Sequence, residues 1–444
     1  YIQFVPAGLR VTLAFPTPVQ TAKDFNNYIK SADFKEAVKK YGEKEVYSNL
    51  KKDAETKMSP IKKVIEDLLN KEEKQDVVSY EYVSGVYSDG MPWNGVIAKA
   101  MLNKSKEWKF VAISSKKTKK VTDFVKDLNK KNGCLAKIAW NGGYILNAEL
   151  VGKLGLPESY IGSPLGLLIS DGKLLSAPLF NKPALIFKKE GVNISRVNCS
   201  KGIIVSRGTS YIEFAEDQYN AKYEKSKAVF YDLMYDKKEI LIEKGVVIRL
   251  AGNIIKEVID VVEKQLVGII PVGLTLVIPR EKFPKEWKMN DELEIVVQGL
   301  EDISYAIEAG PMLINNGNVV LDMVKEGWKT QNSIKTQAAR LDYTDMRGQK
   351  IAAGIDQKGN LIVLTINGRI RESVGATHKN MAEILKKFGI KHAMGFDPGG
   401  SSTLVINGQT LNISPYNSHY DENVYALPPE PRAVSNVIMG YINK

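Results

Sequence analysis

Residues 361–406 read LIVLTINGRIRESVGATHKNMAEILKKFGIKHAMGFDPGGSSTLVI, and the texture of this stretch decides the fold class. Leu361 to Ile366 is a short, β-branched apolar run, the pattern of a buried strand. Asn367-Gly368-Arg369 and Ser373-Val374-Gly375 then break it. Thr377 stands where a helix N-cap is wanted, Met381, Ile384, Leu385 and Phe388 recur on one helical face, and Gly389 ends the helix. A second apolar run, Ala393 to Phe396, leads into Asp397-Pro398-Gly399-Gly400-Ser401-Ser402-Thr403, and Leu404-Val405-Ile406 reads as a strand beyond it. This strand, loop, helix, strand unit sets Arg369 and the Asp397 loop at element ends, where side chains converge. Gly399 and Gly400 let backbone N–H groups face a ligand, and Ser401 and Ser402 add hydroxyls, a combination suited to phosphate or sugar oxygens.

Working outward, the chain from Val78 to Lys444 keeps this β-rich texture, with helices such as Val121 to Asn129 between strands. Asp171-Gly172, Asn316-Gly317 and Asn407-Gly408 each separate two apolar runs and tolerate the positive φ of tight hairpins. Two further polar loops are bracketed by glycine: Trp140-Asn141-Gly142-Gly143-Tyr144, and Glu308-Ala309-Gly310-Pro311 ahead of a hairpin. The expected fold is α+β, a mixed and β-rich catalytic body with flanking helices over residues 78–444. Residues 22–77 shift to Lys, Glu, Asp and Ala, with Ile61, Val64, Ile65, Leu68 and Leu69 at helical spacing behind Ser59-Pro60, and predict a helical segment. Residues 1–21 predict an extended arm broken by Pro6, Pro16 and Pro18, and its first fifteen residues suit self-assembly by adding a strand to a neighbour's sheet.

Composition excludes several classes. The chain has 444 residues, 44% hydrophobic and 25% charged, which is ordinary globular usage and enough for more than one domain. A net charge of +11 favours anionic partners. The lysines are scattered without a dense basic block interleaved with aromatics, so no nucleic-acid partner is expected. The uncharged apolar run Leu266 to Pro279 falls short of the ~20 apolar residues that cross a bilayer; it reads as two strands, and no transmembrane segment is expected. Cys134 and Cys199 are the 2 cysteines, which excludes a disulfide-dense scaffold and leaves open a single pair or two buried thiols. The chain begins at Tyr1 rather than Met, and a removed signal peptide is the simplest source of that, so a secreted or cell-surface location is expected.

The sequence contains no G-x-S-x-G elbow, no H-E-x-x-H and no G-x-x-x-x-G-K-[ST] loop. His378, His392 and His419 have no zinc-ligand spacing, so no metal residue is assigned. No cofactor is certain; a divalent cation, Ca²⁺ or Mg²⁺, is compatible because oxygen ligands leave little sequence signature.

The order of these loops resembles the phosphodiester glycosidase family over about Val78 to Tyr441. Asn141 to Tyr144 is similar to the family's Asn-Gly-Gly-aromatic motif, and Gly310 to Gly317 to its Gly-Pro-x-Leu and glycine turn. Asn367-Gly368-Arg369 with Ser373 to Gly375 is similar to its Asp-Gly-Arg and Ser-x-Gly, and Asp397 to Ser402 to its Asp-Gly-Gly-Gly-Ser-Ser. Arg340, Gly354, Arg432 and Asn436 complete the series. Asn367 replaces the usual aspartate and Pro398 the first glycine of the triple, which removes an N–H donor from the loop.

The resemblance implies a hydrolase that cleaves the bond between a sugar's anomeric carbon and a phosphodiester, acting on a phosphorylated carbohydrate or glycopolymer such as teichoic acid or a capsular glycan. On this reading Arg369 and Arg340 hold the phosphate with Ser401, Ser402 and the Gly399-Gly400 backbone. Asp397 and Glu308 activate water or stabilise positive charge at the anomeric carbon. Asn141, with Gly142, Gly143 and Ser373, orients the substrate, and Arg432 and Asn436 close the far wall. Two other readings stay open: a phosphodiesterase that splits P–O, and a non-catalytic cell-surface assembly or binding protein built on the same domain.

Overall fold

The computed structural model describes residues 30, 32–45, 77–102, 108–131, 133–328, 346–414 and 431–443. The extended arm, the apolar run at 61–69, Arg340 and His419 lie outside the described residues. Within the segment read as helical, Ala32–Tyr41 forms a helix that buries Phe34.

The body is α+β and dominated by antiparallel strands. A seven-stranded sheet runs in the order Val78–Val86, Pro92–Ala100, Leu361–Ile366, Lys350–Asp356, Ile390–Gly395, Met312–Asn315, Asn318–Val319. Its central strands Lys350–Asp356 and Leu361–Ile366 are buried at every position, which is why both read as continuous rather than alternating apolar runs. Ala352, Ile362, Leu364 and Ile366 share a core with Met381, Ile384 and Leu385 of the helix His378–Lys387. Ile351, Ala353, Ile355, Leu361 and Val363 join the larger core on the other face. Thr377 caps the helix as expected, its hydroxyl accepting from Asn380 N at 3.0 Å. Phe388 departs from the expected apolar face: it is the C-cap residue and 40% exposed, because the helix axis has ended before its side chain can turn back to the sheet.

A five-stranded sheet runs Gln409–Thr410, Leu404–Ile406, Cys134–Asn141, Val434–Asn443, Lys109–Lys119. The helix Val121–Asn129 covers it with Val121, Phe124, Val125 and Leu128 against Ala139, Val437 and Met439. A third sheet runs Lys173–Ser176, Leu168–Ser170, Tyr305–Glu308, Pro183–Lys188, Gly191–Arg196. Smaller sheets fill the interval from Gly202–Arg207 to Glu294–Val297, including Gln265–Gly268 and Leu274–Ile278 as the two strands read in Leu266 to Pro279. The anticipated hairpins form with positive φ at both central residues: 53° and 73° at Asp171-Gly172, 48° and 75° at Asn316-Gly317, 48° and 82° at Asn407-Gly408. Cys134 and Cys199 are both free, and the Cys199 thiol donates to Pro178 O at 3.3 Å.

Two of the sheets are joined by a crossing. Ile390–Gly395 belongs to the seven-stranded sheet and Leu404–Ile406 to the five-stranded one. The loop from Asp397 to Thr403 therefore passes from one sheet to the other and lies at their seam.

Candidate active site

A cleft of about 540 Å³ opens at that seam. From the five-stranded side it is lined by Thr118, by Asn141, Gly142 and Gly143 at the end of one strand, and by Arg432 to Asn436 at the start of another. From the seven-stranded side come Met346 to Lys350 and Arg369, and across the seam Asp397 to Ser401. Ile145, Asn147 and Glu149, at the start of the helix Ala148–Lys153, complete the wall.

The Asn141 side chain anchors the crossing loop at both ends. Its Nδ2 donates to Asp397 O at 2.8 Å, and its Oδ1 accepts from Thr403 N at 3.0 Å. Asp397 N donates to Gly142 O at 3.2 Å and Gly399 N to Gln349 O at 3.0 Å. The N–H groups on either side of Pro398 are thus committed to the scaffold, and the loop is shaped by those bonds. Gly399 to Ser401 then form one 3₁₀ turn with Gly400 and Ser401 buried.

Glycine at 142 and 143 is a matter of clearance. A Cβ at Gly142 would lie 2.2 Å from Asn436 Oδ1 and 2.5 Å from Ile307 Cδ1, and one at Gly143 would lie 2.3 Å from the Glu308 carbonyl oxygen. The Asn141 loop therefore presses directly on the strand Tyr305–Glu308 of the third sheet. Tyr144 OH donates to Gly310 O at 3.0 Å, and Gly310 N to Gly395 O at 2.9 Å. In this way the glycine-bracketed loops at 141–144, 308–311 and 397–403 meet at one place.

The charge of the cleft is positive: its wall carries Lys350, Arg369 and Arg432, with Arg347 paired to Asp89 at 2.7 Å, against Asp397 and Glu149. Lys350 is only 3% exposed. A Cβ built on Gly348 would sit 3.8 Å from Lys350 Nζ and 4.0 Å from both Nε and Nη2 of Arg369, so the two cationic heads converge over that glycine. Arg369 holds φ at 57°, a conformation that side chains other than Gly, Asn and Asp rarely adopt, and such strain is concentrated at functional sites. Asn436 is 3% exposed; its Oδ1 makes no hydrogen bond among the described residues.

Several expected residues lie elsewhere. Glu308 is not among the residues that line the cleft; its carbonyl backs the Asn141 loop while its carboxyl is buried in the interior, with Oε2 accepting from Leu167 N at 2.7 Å. Burial raises the Glu308 carboxyl, opposed by the Lys182 ammonium, and burial lowers Lys182 in turn. Lys182 Nζ sits 4.0 Å from the Trp328 ring centre and 4.3 Å from that of Phe180. The strand alternation that turns Ile307 toward the glycines turns Glu308 away, which single-sequence reading had no register to foresee.

Ser373 and Ser402 are also buried outside the cleft wall. Ser373 Oγ donates to Asn367 O at 2.6 Å and accepts from Asn94 N at 3.1 Å. Asn367 Nδ2 donates to Asn94 Oδ1 at 2.7 Å while its Oδ1 accepts from Ile413 N at 2.8 Å. Asn367 needs both a donor and an acceptor to tie those segments, and an amide supplies both. The stretch Arg347-Gly348-Gln349-Lys350 was missed by the sequence reading; a basic residue beside a glycine just ahead of an apolar strand is the signal it left. Among the described residues no group of three or more His, Cys, Asp or Glu side chains is placed to hold a metal ion, and no helix is long and apolar enough to cross a membrane.

Comparison with known proteins bears on residues 214–440, which match the family model for phosphodiester glycosidase. Over 136 residues the chain is 32% identical to N-acetylglucosamine-1-phosphodiester alpha-N-acetylglucosaminidase of Bos taurus, covering 28% of this chain and 22% of that protein. It is 31% identical over 136 residues to the Homo sapiens protein of that name, covering 28% and 23%. The matched stretch thus spans less than a quarter of the length of those relatives. A solved structure, described as a hypothetical protein from Synechocystis, shares the fold with a TM-score of 0.50 at 18% identity, covering 82% of this chain and 62% of that one. The family match spans 214–440, the strand ending at Asn141 is paired on one side with Leu404–Ile406, inside that span, and on the other with Val434–Asn443, which begins inside it, and the chain belongs to the phosphodiester glycosidase family.

Proposed function

We propose that the seam cleft hydrolyses the bond between a sugar's anomeric carbon and a phosphodiester, with residues 78–444 acting as one catalytic unit. The observation that carries this reading is the convergence of Lys350 and Arg369 over Gly348, in a cleft that also contains Asp397 and the Gly399 to Ser401 turn. A phosphodiester bound there has its negative charge matched by an ammonium and a guanidinium, and hydrogen bonds to such charged partners are worth roughly 1.5 to 3 kcal/mol each.

A departing phosphate monoester is a weak base, so the site needs stabilisation of that anion more than a strong general acid. Arg369 and Lys350 supply it, with the Ser401 hydroxyl on the same wall. Asp397 is the carboxylate assigned to activating water or balancing positive charge at the anomeric carbon, a role worth about a hundred- to ten-thousand-fold in rate. Asn141 acts through the loop, by fixing the backbone on both sides of Asp397. Arg432 and Asn436 form the wall toward the sugar. The substrate is a phosphate-bearing glycan, with teichoic acid or a capsular polymer as the class that fits the net charge of +11, and its place is outside the cell.

Hydrolysis in ¹⁸O-labelled water of a panel of sugar-1-phosphodiesters tests the reading. Label in the released sugar, lost in Asp397→Asn, is the expected result. Label in phosphate would replace C–O cleavage by the P–O alternative, and no turnover across the panel would favour a non-catalytic binding protein.

A further inference from the structure

The hairpin between the strands Val78–Val86 and Pro92–Ala100 reaches the cleft rim from outside the family-matched segment. Arg347, which lines the cleft, is held by that hairpin. Its Nη1 lies 2.7 Å from Asp89 Oδ2, and its Cζ lies 4.1 Å above the centre of the Tyr87 ring. The hairpin is itself fixed: Tyr87 N donates to Met91 O at 2.9 Å, Gly90 N to Tyr87 O at 2.9 Å, and Met91 N to Asp89 Oδ1 at 3.2 Å. Tyr87 OH donates to Gly375 O at 3.0 Å. Next to Gly375, Ala376 N donates to Gly348 O at 2.9 Å, so the clamp closes on the residue adjoining Arg347.

We infer that Arg347 forms a rim subsite for a hydroxyl-rich alcohol, a polyol or a sugar, esterified to the far side of the scissile phosphodiester, and that Tyr87 and Asp89 are its positioning residues. The inference rests on the phosphodiester reading above. Lys350, 3% exposed, is the deep cation; the Arg347 side chain is 26% exposed beside the exposed Met346, and Arg369 is exposed as well, so both arginines stand toward the mouth of the cleft. A phosphate anchored on Lys350 and met by Arg369 therefore has its second substituent directed outward to the mouth, where Arg347 is the remaining guanidinium of that wall. Asp89 neutralises much of the guanidinium charge, and Tyr87 covers one face, so little attraction for a further anion is left. What remains is a planar fork of N–H donors in a fixed orientation, suited to neutral hydroxyl oxygens. Such a group selects among substituents more than it adds to phosphate affinity.

The test uses two sugar-1-phosphodiesters that differ only in a methyl or a glyceryl group on the far ester. The wild type should prefer the glyceryl compound by about tenfold in kcat/KM, the scale of one hydrogen bond to a charged donor, and the preference should reside in KM. Arg347→Gln should bring the ratio close to one, Arg347→Lys should fail to restore it for want of a planar fork, and Asp89→Asn should reduce it. A general loss of structure lowers both substrates alike and leaves the ratio intact. A ratio retained in Arg347→Gln, or absent in the wild type, would overturn the inference. If neither compound is turned over, the hydrolase reading fails, and calorimetric binding of the same two compounds to wild type and Arg347→Gln decides the subsite: the same preference in Kd and its loss support it, and equal affinities overturn it.

Discussion

Asn141 and Asp397 are joined through the backbone rather than through their side-chain chemistry: Asn141 Nδ2 donates to Asp397 O at 2.8 Å, and Asn141 Oδ1 accepts from Thr403 N at 3.0 Å. A single amide therefore fixes the entrance and the exit of the loop that crosses between two sheets. Asn141→Asp is the sharpest test, because it sets a carboxylate oxygen against the Asp397 carbonyl. It should lower stability by about 1 to 3 kcal/mol, the cost of leaving a buried polar group unsatisfied, and lower kcat/KM by at least about tenfold, since small misplacements of reacting groups are costly. Denaturant midpoints and kinetics on a sugar-1-phosphodiester check both; an unchanged variant would remove the amide from the account of the loop.

Gly143→Ala probes the contact between the Asn141 loop and the third sheet. The added Cβ would lie 2.3 Å from the Glu308 carbonyl oxygen, so either the strand or the loop must move. Overpacking of this kind costs about 1 to 3 kcal/mol. A melting temperature equal to that of the wild type would show that the backbones can separate there without cost.

Arg369→Lys keeps a charge and loses the planar fork. With φ at 57°, lysine inherits the same backbone strain, so stability should change little while kcat/KM falls by about ten- to a hundredfold through the lost bidentate geometry. Full activity in this variant would assign the phosphate to Lys350 and Arg432 instead.

The interior offers a prediction in pH. Burial pushes the Asp232 carboxyl up to about 6, opposed by hydrogen bonds from Asn220, Tyr219 and Met234. In the unfolded chain the same group ionises at about 3.9. Between these values the folded chain binds more protons than the unfolded one, so Asp232 makes stability fall as pH rises from about 4 to 6, by up to about 3 kcal/mol. In Asp232→Asn that component is missing, and the stability difference between wild type and variant should shift against the wild type across this window. Urea midpoints of both proteins at pH 4 and pH 7 read it; a difference independent of pH would mean that Asp232 ionises normally in the fold.

Local patterns carried much of the fold. The capped helix after Thr377, the helix Val121–Asn129 and the hairpins at Asp171, Asn316 and Asn407 rest on interactions between near neighbours, namely spacing, caps and turn residues, and the strand Leu361–Ile366 showed itself as a local apolar run although one of its partners, Pro92–Ala100, is far along the chain. The Asn-Gly-Gly and Asp-Pro-Gly-Gly-Ser-Ser loops announced themselves by composition. Their roles did not follow from it: Asn141 spends its side chain on the Asp397 loop, Asn367 and Ser373 on tying strands together, and Ser402 is buried outside the cleft wall.

What the sequence determined by itself is the identity and order of the elements, because spacing, caps and turn residues mark each one within a few residues, even where the partners that stabilise a strand lie far along the chain. Tertiary structure alone decided which sheet each strand joined, and so put the Asp397 loop at a seam, turned Glu308 away from the cleft, and brought Tyr87 and Asp89 to Arg347 across some 258 residues of chain. Such pairings follow from strand register and the packing of two sheets against a common core, and a one-residue change in register would reverse which side chains face the cleft.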